Sequence, residues 1–496
     1  MTQRLHPLRG AAWLTMAWLV ASCGGDGPTR PSSTVASVSL SAVGSTTLSI
    51  GQTVQLRAQA KNAAGQLIPG VTFGWTSESP NVAQVSPTGL VTAISAGTAV
   101  IRASTGDRSA QVTVTVVQPP PPAGPSVLID NWYLRVGIVG TPYPGGIGVV
   151  GSGGDGVSFA YEVVAGELPP GIALGAASGL LSGTPTTSGT FFFEVRVTSA
   201  GQTASRVFAL SVSTKPVDGY NIAIVNASGM MPSATNRAAL DGAVAKWESV
   251  ILTNLPQLVL ATPTGLGAPS CQGHATKLRA GEVIEDLVIL TAIAPIDGVA
   301  GAVAQAGPCG FVAPGNLLWM GSLTFDEADL AVLDADRVER IIMHEIGHVV
   351  GIGTLWTQLG NNLLSGAGQA DPQYTGAAGV AAYQALGGFG TIPVEGTGGA
   401  GTRDSHWRES VFDNELMTGF LEAAGVPMPL SIMSVRSLED LGWTVDPGAA
   451  DPYVLPQPAL RVETSPIRAT LWDDVVIEPL YRMLHDGRVE LIRVPR

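Results

Sequence analysis

The stretch "MHEIGHVVGIGTLW", residues 343 to 356, decides how the rest of the chain is read. His344 and His348 stand four positions apart, so on a helix both imidazoles leave the same face, one turn apart. Ile341, Ile342, Ile346, Val349 and Val350 surround them and place that helix in a core rather than on a surface. The pattern predicts a helix from about Asp336 to Val350. Gly351 then lets the chain leave through a left-handed turn that a β-carbon would oppose.

Two neutral imidazole nitrogens on one face suit Zn2+, which takes N, O or S donors tetrahedrally and in catalytic sites keeps one position for water. Glu345, next to the first histidine, would lie beside that water as general base. The five-residue pattern also arises on exposed helices that bind nothing, so a third donor is required. Of the six histidines, His6 falls in the apolar leader, which leaves His274, His406 and His485. Glu409 and Glu415 are carboxylate alternatives.

Working outward, the residues before the motif alternate between strand and helix patterns. "YNIAIVNAS" reads as a strand, "TNRAALDGAVAKWESVIL" as an amphipathic helix, and "QLVLA", "DLVILTA", "AGAVAQA" and "NLLWMGSLTF" as further strands. After the motif, "DSHWRESVFDNELMTGF", residues 404 to 420, places His406 58 residues past His348, with Met417 eleven further on. "SIMSVRSLEDLGW" follows.

Together these segments, over roughly residues 220 to 445, resemble the leishmanolysin-like metzincins, peptidase family M8. In the compact metzincin pattern a third histidine would stand at Thr354; in this family a large insertion separates the two. The resemblance implies that His406 is the third ligand, that Met417 is the methionine of the turn beneath the metal, and that one Zn2+ binds per catalytic domain. It implies Glu345 as base and a protein or peptide substrate lying antiparallel to an edge strand, here "GAVAQA". A core role for His406 and plain packing for Met417 are the alternatives. The insertion, residues 355 to 405, is Gly-rich with one helical patch, "AAGVAAYQALGG", and reads either as a wall of the cleft or as a solvated loop. Eukaryotic members carry many more cysteines and a pro-segment cysteine that masks zinc; here Cys271, in "SCQGH", lies inside the catalytic region. No tyrosine stands beside Met417.

Residues 35 to 117 alternate as strands: in "VQLRAQAK", Val54, Leu56, Ala58 and Ala60 take one face and Gln55, Arg57, Gln59 and Lys61 the other. "GWTSESPNVAQVSPTGLVTAISAGTAVIRAS" resembles the bacterial Ig-like group 2 module, with Trp75 as its core aromatic. A proline-rich linker, 118 to 126, follows. Over 127 to 214, "ELPPGIAL", "SGLLSGTPTTSGT" and "FFFEVRVTS" resemble the putative-Ig repeats of bacterial surface proteins. Neither module contains a histidine. Both read as spacers or an adhesive stalk, with contacts to surface proteins or glycans left open.

Arg4 and Arg9 precede "AAWLTMAWLVAS" and then Cys23, a run too short to span a bilayer. "LVASC" resembles a bacterial lipobox, which implies a signal peptide over 1 to 22, lipidation of Cys23, a tether over 23 to 34 and a membrane anchor at the cell envelope. An ordinary secretory signal is the alternative. With three cysteines in all, export leaves Cys271 and Cys309 as one disulfide or two buried thiols. A net charge of -13 argues against nucleic acid as a partner.

The fold class expected is multidomain: two all-β Ig-like sandwiches followed by an α+β metzincin domain over 218 to 450, with an unassigned tail over 451 to 496. Two functions from different classes stand: an anchored or secreted zinc endopeptidase, or an adhesion lipoprotein with an inert peptidase fold. The intact Glu345 favours the first, since an inert fold has no chemical need for it.

Overall fold

The computed structural model describes residues 34–118, 125–261, 270–271, 274–275, 278–299, 301–313, 315–399, 401–456, 469–471, 474–476, 480–484 and 486–492. Cys23 and the leader, most of the linker, and His485 lie outside them. Of His274 only the backbone is described, in a short strand pair with Ser270–Cys271. The chain divides into two compact units, 1–122 and 123–496. Among the described residues no helix is long and apolar enough to cross a membrane.

The described part of the first unit is a sandwich of two four-stranded sheets whose strands run between Ser37 and Val117. The strand Thr53–Lys61 buries Val54, Leu56 and Ala60 and leaves Ala58 half-buried. The alternation of side chains across the pleat thus gives the core face. Trp75 departs from expectation. It is only half-buried and packs against the edge of the core over Gly89.

In the second unit the residues of the putative-Ig region pair Gly189–Ser199 with Gln202–Ser213 along their whole length, with Phe193 and Phe208 stacked in the core. This sandwich is no detached stalk. Phe192, Val207 and Ala209 on its outer face enter the same core as the helices that follow. Thr190 donates its amide to Asp241 at 2.6 Å, Arg135 pairs with Glu285, and the Arg206 guanidinium donates to the Asn226 carbonyl at 2.6 Å.

The third region is built on a six-stranded sheet in the order Ile222–Asn226, Leu287–Ala294, Leu317–Asp326, Ala304–Val312, Leu480–Met483, Val489–Ile492. Ile222, Ile224, Leu287 and Ile289 face one core, and Ala223, Val225, Val288 and Leu290 the other. Near-continuous apolar runs are what strands buried on both faces require. Helices Ala234–Val250 and Ala335–Val349 pack on the first face. The sequence called the tail after 450 unassigned; its last two described strands extend this sheet. Leu480–Met483 pairs parallel with Gly310–Val312 and Val475 bridges Ala306, so the strand nominated as an edge is covered at Ala306, the last residue of "GAVAQA". The insertion is not a solvated loop either. It forms a small three-stranded sheet and the helix Ala377–Ala385, and the Tyr374 ring packs tilted against Trp356 and edge-on to Trp407, at 5.1 and 5.3 Å between ring centres.

Cys271 and Cys309 are joined, with Cα atoms 5.7 Å apart, so Cys271 is not available as a free thiol to mask a metal.

Candidate metal centre

Asp334 caps the motif helix by accepting the amide of Arg337 at 3.0 Å, which fixes where the helix starts. Two buried tryptophans hold its far end: Trp247 donates to the Met343 carbonyl at 2.9 Å and Trp443 to that of Val350 at 3.0 Å. Gly351, at φ 114°, ends it where a side chain would be strained. Thr354, buried, donates its hydroxyl to the His348 carbonyl at 2.8 Å. The residue at the compact-pattern position thus closes the helix end and does not reach the site.

His344, Glu345, His348 and His406 are all fully buried. The Nε2 atoms of the three histidines stand 2.9 Å (His344 to His348), 3.0 Å (His348 to His406) and 3.2 Å (His344 to His406) apart. Each Nδ1 is turned outward to a backbone carbonyl: His344 to Leu416 at 2.6 Å, His348 to Ile352 at 2.9 Å, and His406 to Thr402 at 3.0 Å. A carbonyl can only accept, so each ring carries a proton on Nδ1 and, as the neutral imidazole, presents a bare lone pair at Nε2. Three lone pairs converging in a dry pocket repel one another unless a cation lies between them. Tetrahedral zinc, with Zn–N near 2.0–2.1 Å, spaces two such nitrogens by about 3.3 Å. The cluster therefore fits the ion after opening by a few tenths of an ångström.

Met417 lies fully buried under the motif helix, and its backbone carbonyl accepts the Trp407 amide at 3.0 Å. This one segment both supports the helix from below, through Leu416 and Met417, and anchors the residue next to His406. Glu415 is excluded as a ligand. One of its oxygens accepts from Ser431 and Ser434, and the other takes the Met417 amide at 2.6 Å. Glu409 sits apart, with Asp413 and Glu422.

A fourth group completes the cluster, and the sequence did not single it out. Asp474 is fully buried, and its Oδ2 stands 3.0 Å from His406 Nε2, 3.2 Å from His344 Nε2 and 3.9 Å from His348 Nε2. The one signal was the acidic pair in "LWDDVVIEPL", set against a β-branched run. Among the described residues neither oxygen of Glu345, nor Oδ1 of Asp474, has a hydrogen-bond partner.

Burial pushes the Glu345 carboxyl well above its ordinary range, and the Asp474 charge adds to this. Burial, with the other two imidazoles, holds His348 well below the usual histidine value. For His406 burial acts downward, but Asp474 alongside more than reverses it.

Comparison with known families matches residues 272–451 to leishmanolysin, 125–213 to the putative Ig domain and 71–118 to the bacterial Ig-like domain. The chain therefore carries two Ig-like domains followed by a leishmanolysin domain, in the order the sequence implied. A comparison with curated proteins gives no match. Among solved structures, domains 4 and 5 of the S-layer protein SbsC are 17% identical, covering 36% of this chain and 98% of that one, at a TM-score of 0.19. Cadherin domains 3–6 of protocadherin gamma B2 are 16% identical, covering 36% and 52%, also at 0.19. An intimin mutant of EHEC O157:H7 is 19% identical, covering 20% and 52%, at 0.13. At TM-scores this low these likenesses say nothing of the overall fold.

Proposed function

We propose that the protein is a zinc-dependent endopeptidase whose metal is held by His344, His348 and His406. The observation that carries this reading is the convergence of three Nε2 lone pairs whose tautomers are set by three outward Nδ1 contacts to carbonyls. The leishmanolysin match to residues 272–451 supports it and points to protein or peptide substrates.

Zinc bound there would polarise the scissile carbonyl and acidify the attacking water. The protein's own residues do the rest. Glu345, one position beyond His344 on the same helix, takes the proton of that water and passes it to the leaving nitrogen. Its burial and unpartnered oxygens raise its affinity for a proton, as a base requires. The apolar wall around it excludes bulk water. Neutral imidazoles leave the charge of the ion undiminished, so the field on the carbonyl stays strong.

The test separates ligand from base. In His406→Ala only two imidazoles remain, so zinc per chain should fall far below one and hydrolysis of casein should cease. In Glu345→Gln one zinc per chain should remain while turnover is lost. Stoichiometric zinc and undiminished activity in His406→Ala would reject the ligand set.

The proposal extends to the cell envelope through Cys23, on the strength of "LVASC" behind its apolar run. Cys23→Ser should release the protein from detergent-phase partitioning. A mature wild-type N-terminus that lies elsewhere and carries no lipid by mass spectrometry counts against the anchor.

A further inference from the structure

The C-terminal segment does more than extend the sheet. Asp474 stands among the three histidines, and the backbone around it is pinned to the strand Ala304–Val312. The Ala306 amide donates to the Asp474 carbonyl at 2.8 Å, and the Val476 amide donates to the Ala306 carbonyl at 3.0 Å. Val475 bridges Ala306 in a parallel sense, and farther along Leu480–Met483 pairs parallel with Gly310–Val312. On the other side Ala469–Thr470 pairs with Phe420–Leu421, and the Leu471 amide donates to the Gly419 carbonyl at 3.1 Å, just past the turn that holds Met417. The chain is thus fastened on both sides of the metal centre, with Asp474 between.

We infer that Asp474 is a fourth metal donor carried on an internal strap, and that the strap keeps the site closed. This rests on the three-histidine reading above. Three imidazoles leave one tetrahedral position for water or a substrate oxygen, whereas a fourth protein donor converts a catalytic set into a closed one. Oδ2 lies within 3.2 Å of two of the three Nε2 atoms, and the residue is fully buried. The same segment takes the backbone groups of Ala306, on the strand expected to receive a peptide substrate. It runs parallel to that strand, opposite to the sense expected of a substrate, so it blocks without offering a scissile bond in register. The residues that match leishmanolysin end at 451, and the strap lies beyond them. Turnover requires the carboxylate to leave and a water to take its place; no covalent bond changes.

The experiment uses the full chain, loaded with Zn2+ for activity and with Co2+ for its visible spectrum. Wild type, Asp474→Asn and Asp474→Ala are compared for metal per chain, for hydrolysis of a quenched fluorescent peptide, and for the spectral change on adding acetohydroxamate, a small chelator that needs an open position. The expectation is one metal per chain in all three, and a wild-type cobalt spectrum indifferent to acetohydroxamate concentrations that saturate the Asn variant. Hydrolysis should be about tenfold faster or more in the variants, because the rate scales with the fraction of molecules whose site is open. Wild type whose cobalt spectrum shifts and saturates on adding acetohydroxamate overturns the strap, and this arm reads wild type alone. Equal hydrolysis with full zinc overturns it too, and so does loss of metal and activity together in the variants; each leaves the three-histidine reading standing. Failure of wild type itself to bind zinc or cobalt removes both readings at once.

Discussion

Met417 Sδ lies so close beneath Gly347 that a β-carbon on that glycine would stand 2.6 Å from it, with Trp247 3.3 Å away on the other side. The turn under the histidine cluster and the helix that carries two of its members are therefore in direct contact at the one residue between His344 and His348 that has no side chain. Gly347→Ala would raise helix propensity by about 1 kcal/mol on an exposed helix. Here overpacking should win and cost about 1–3 kcal/mol. Thermal unfolding together with zinc titration should show a lower midpoint and weaker binding; a stabilised variant with unchanged zinc affinity would contradict the contact. Met417→Leu, close in volume, should cost less than about 1.5 kcal/mol.

Thr354→Ala removes the hydroxyl that the His348 carbonyl accepts at 2.8 Å. With a buried hydrogen bond lost at the helix end, the cost should be about 1 kcal/mol. Zinc content should stay at one per chain, since no donor is touched. Loss of zinc in this variant would mean that the threonine reaches the site after all.

The spacing of His344 and His348 was enough to place two imidazoles on one buried helix face, because helical period is a local property of the chain. His406 was different. No local rule connects residues 58 apart, and only the likeness of "SHW" and "ELMTG" to a known family picked it from three histidines. Asp474 was harder still. It is placed by a strand pairing with Ala306, more than 160 residues earlier in the sequence, and an acidic pair in an unpatterned tail carries no periodic signal. The shared core of the putative-Ig region was hidden for a related reason. Phe192 and Val207 read equally well as the inner face of a sandwich or as a face turned to a neighbour, since alternation says that one face is buried but not against what.

The bond between Cys271 and Cys309 closes a separation of 38 residues and ties the strand Ala304–Val312 to the short strand Ser270–Cys271 ahead of it. In the chain-entropy view a closure of that length stabilises by about 2–4 kcal/mol. The double variant Cys271→Ser, Cys309→Ser should unfold at a correspondingly lower temperature under non-reducing conditions, and dithiothreitol should bring wild type toward it. Peptide mapping that finds both thiols free in exported protein would remove the basis for this.

Asp326, fully buried at the end of the strand Leu317–Asp326, gathers five amides. Its Oδ2 accepts from Ile296, Asp297 and Gly298 at 2.7, 3.0 and 3.2 Å, and its Oδ1 from Ala328 and Asp329 at 2.7 and 3.3 Å. Burial pushes its carboxyl upward, but the amide donors outweigh that and hold it down at about 2. A carboxyl depressed on folding binds fewer protons folded than unfolded, so its contribution is full above the ordinary carboxylate value near 4 and is lost as pH falls toward about 2. Asp326→Asn can accept through only one atom and turns an NH2 group toward amide donors, so it should be less stable than wild type by about 2–3 kcal/mol at pH 6. The gap should narrow at pH 3 and close near pH 2, where wild type loses the charge that the variant never had. Thermal midpoints of the two proteins measured across that range decide the matter: a gap that holds constant from pH 6 down to pH 2 would show that the amides bind the oxygen atoms and not the charge.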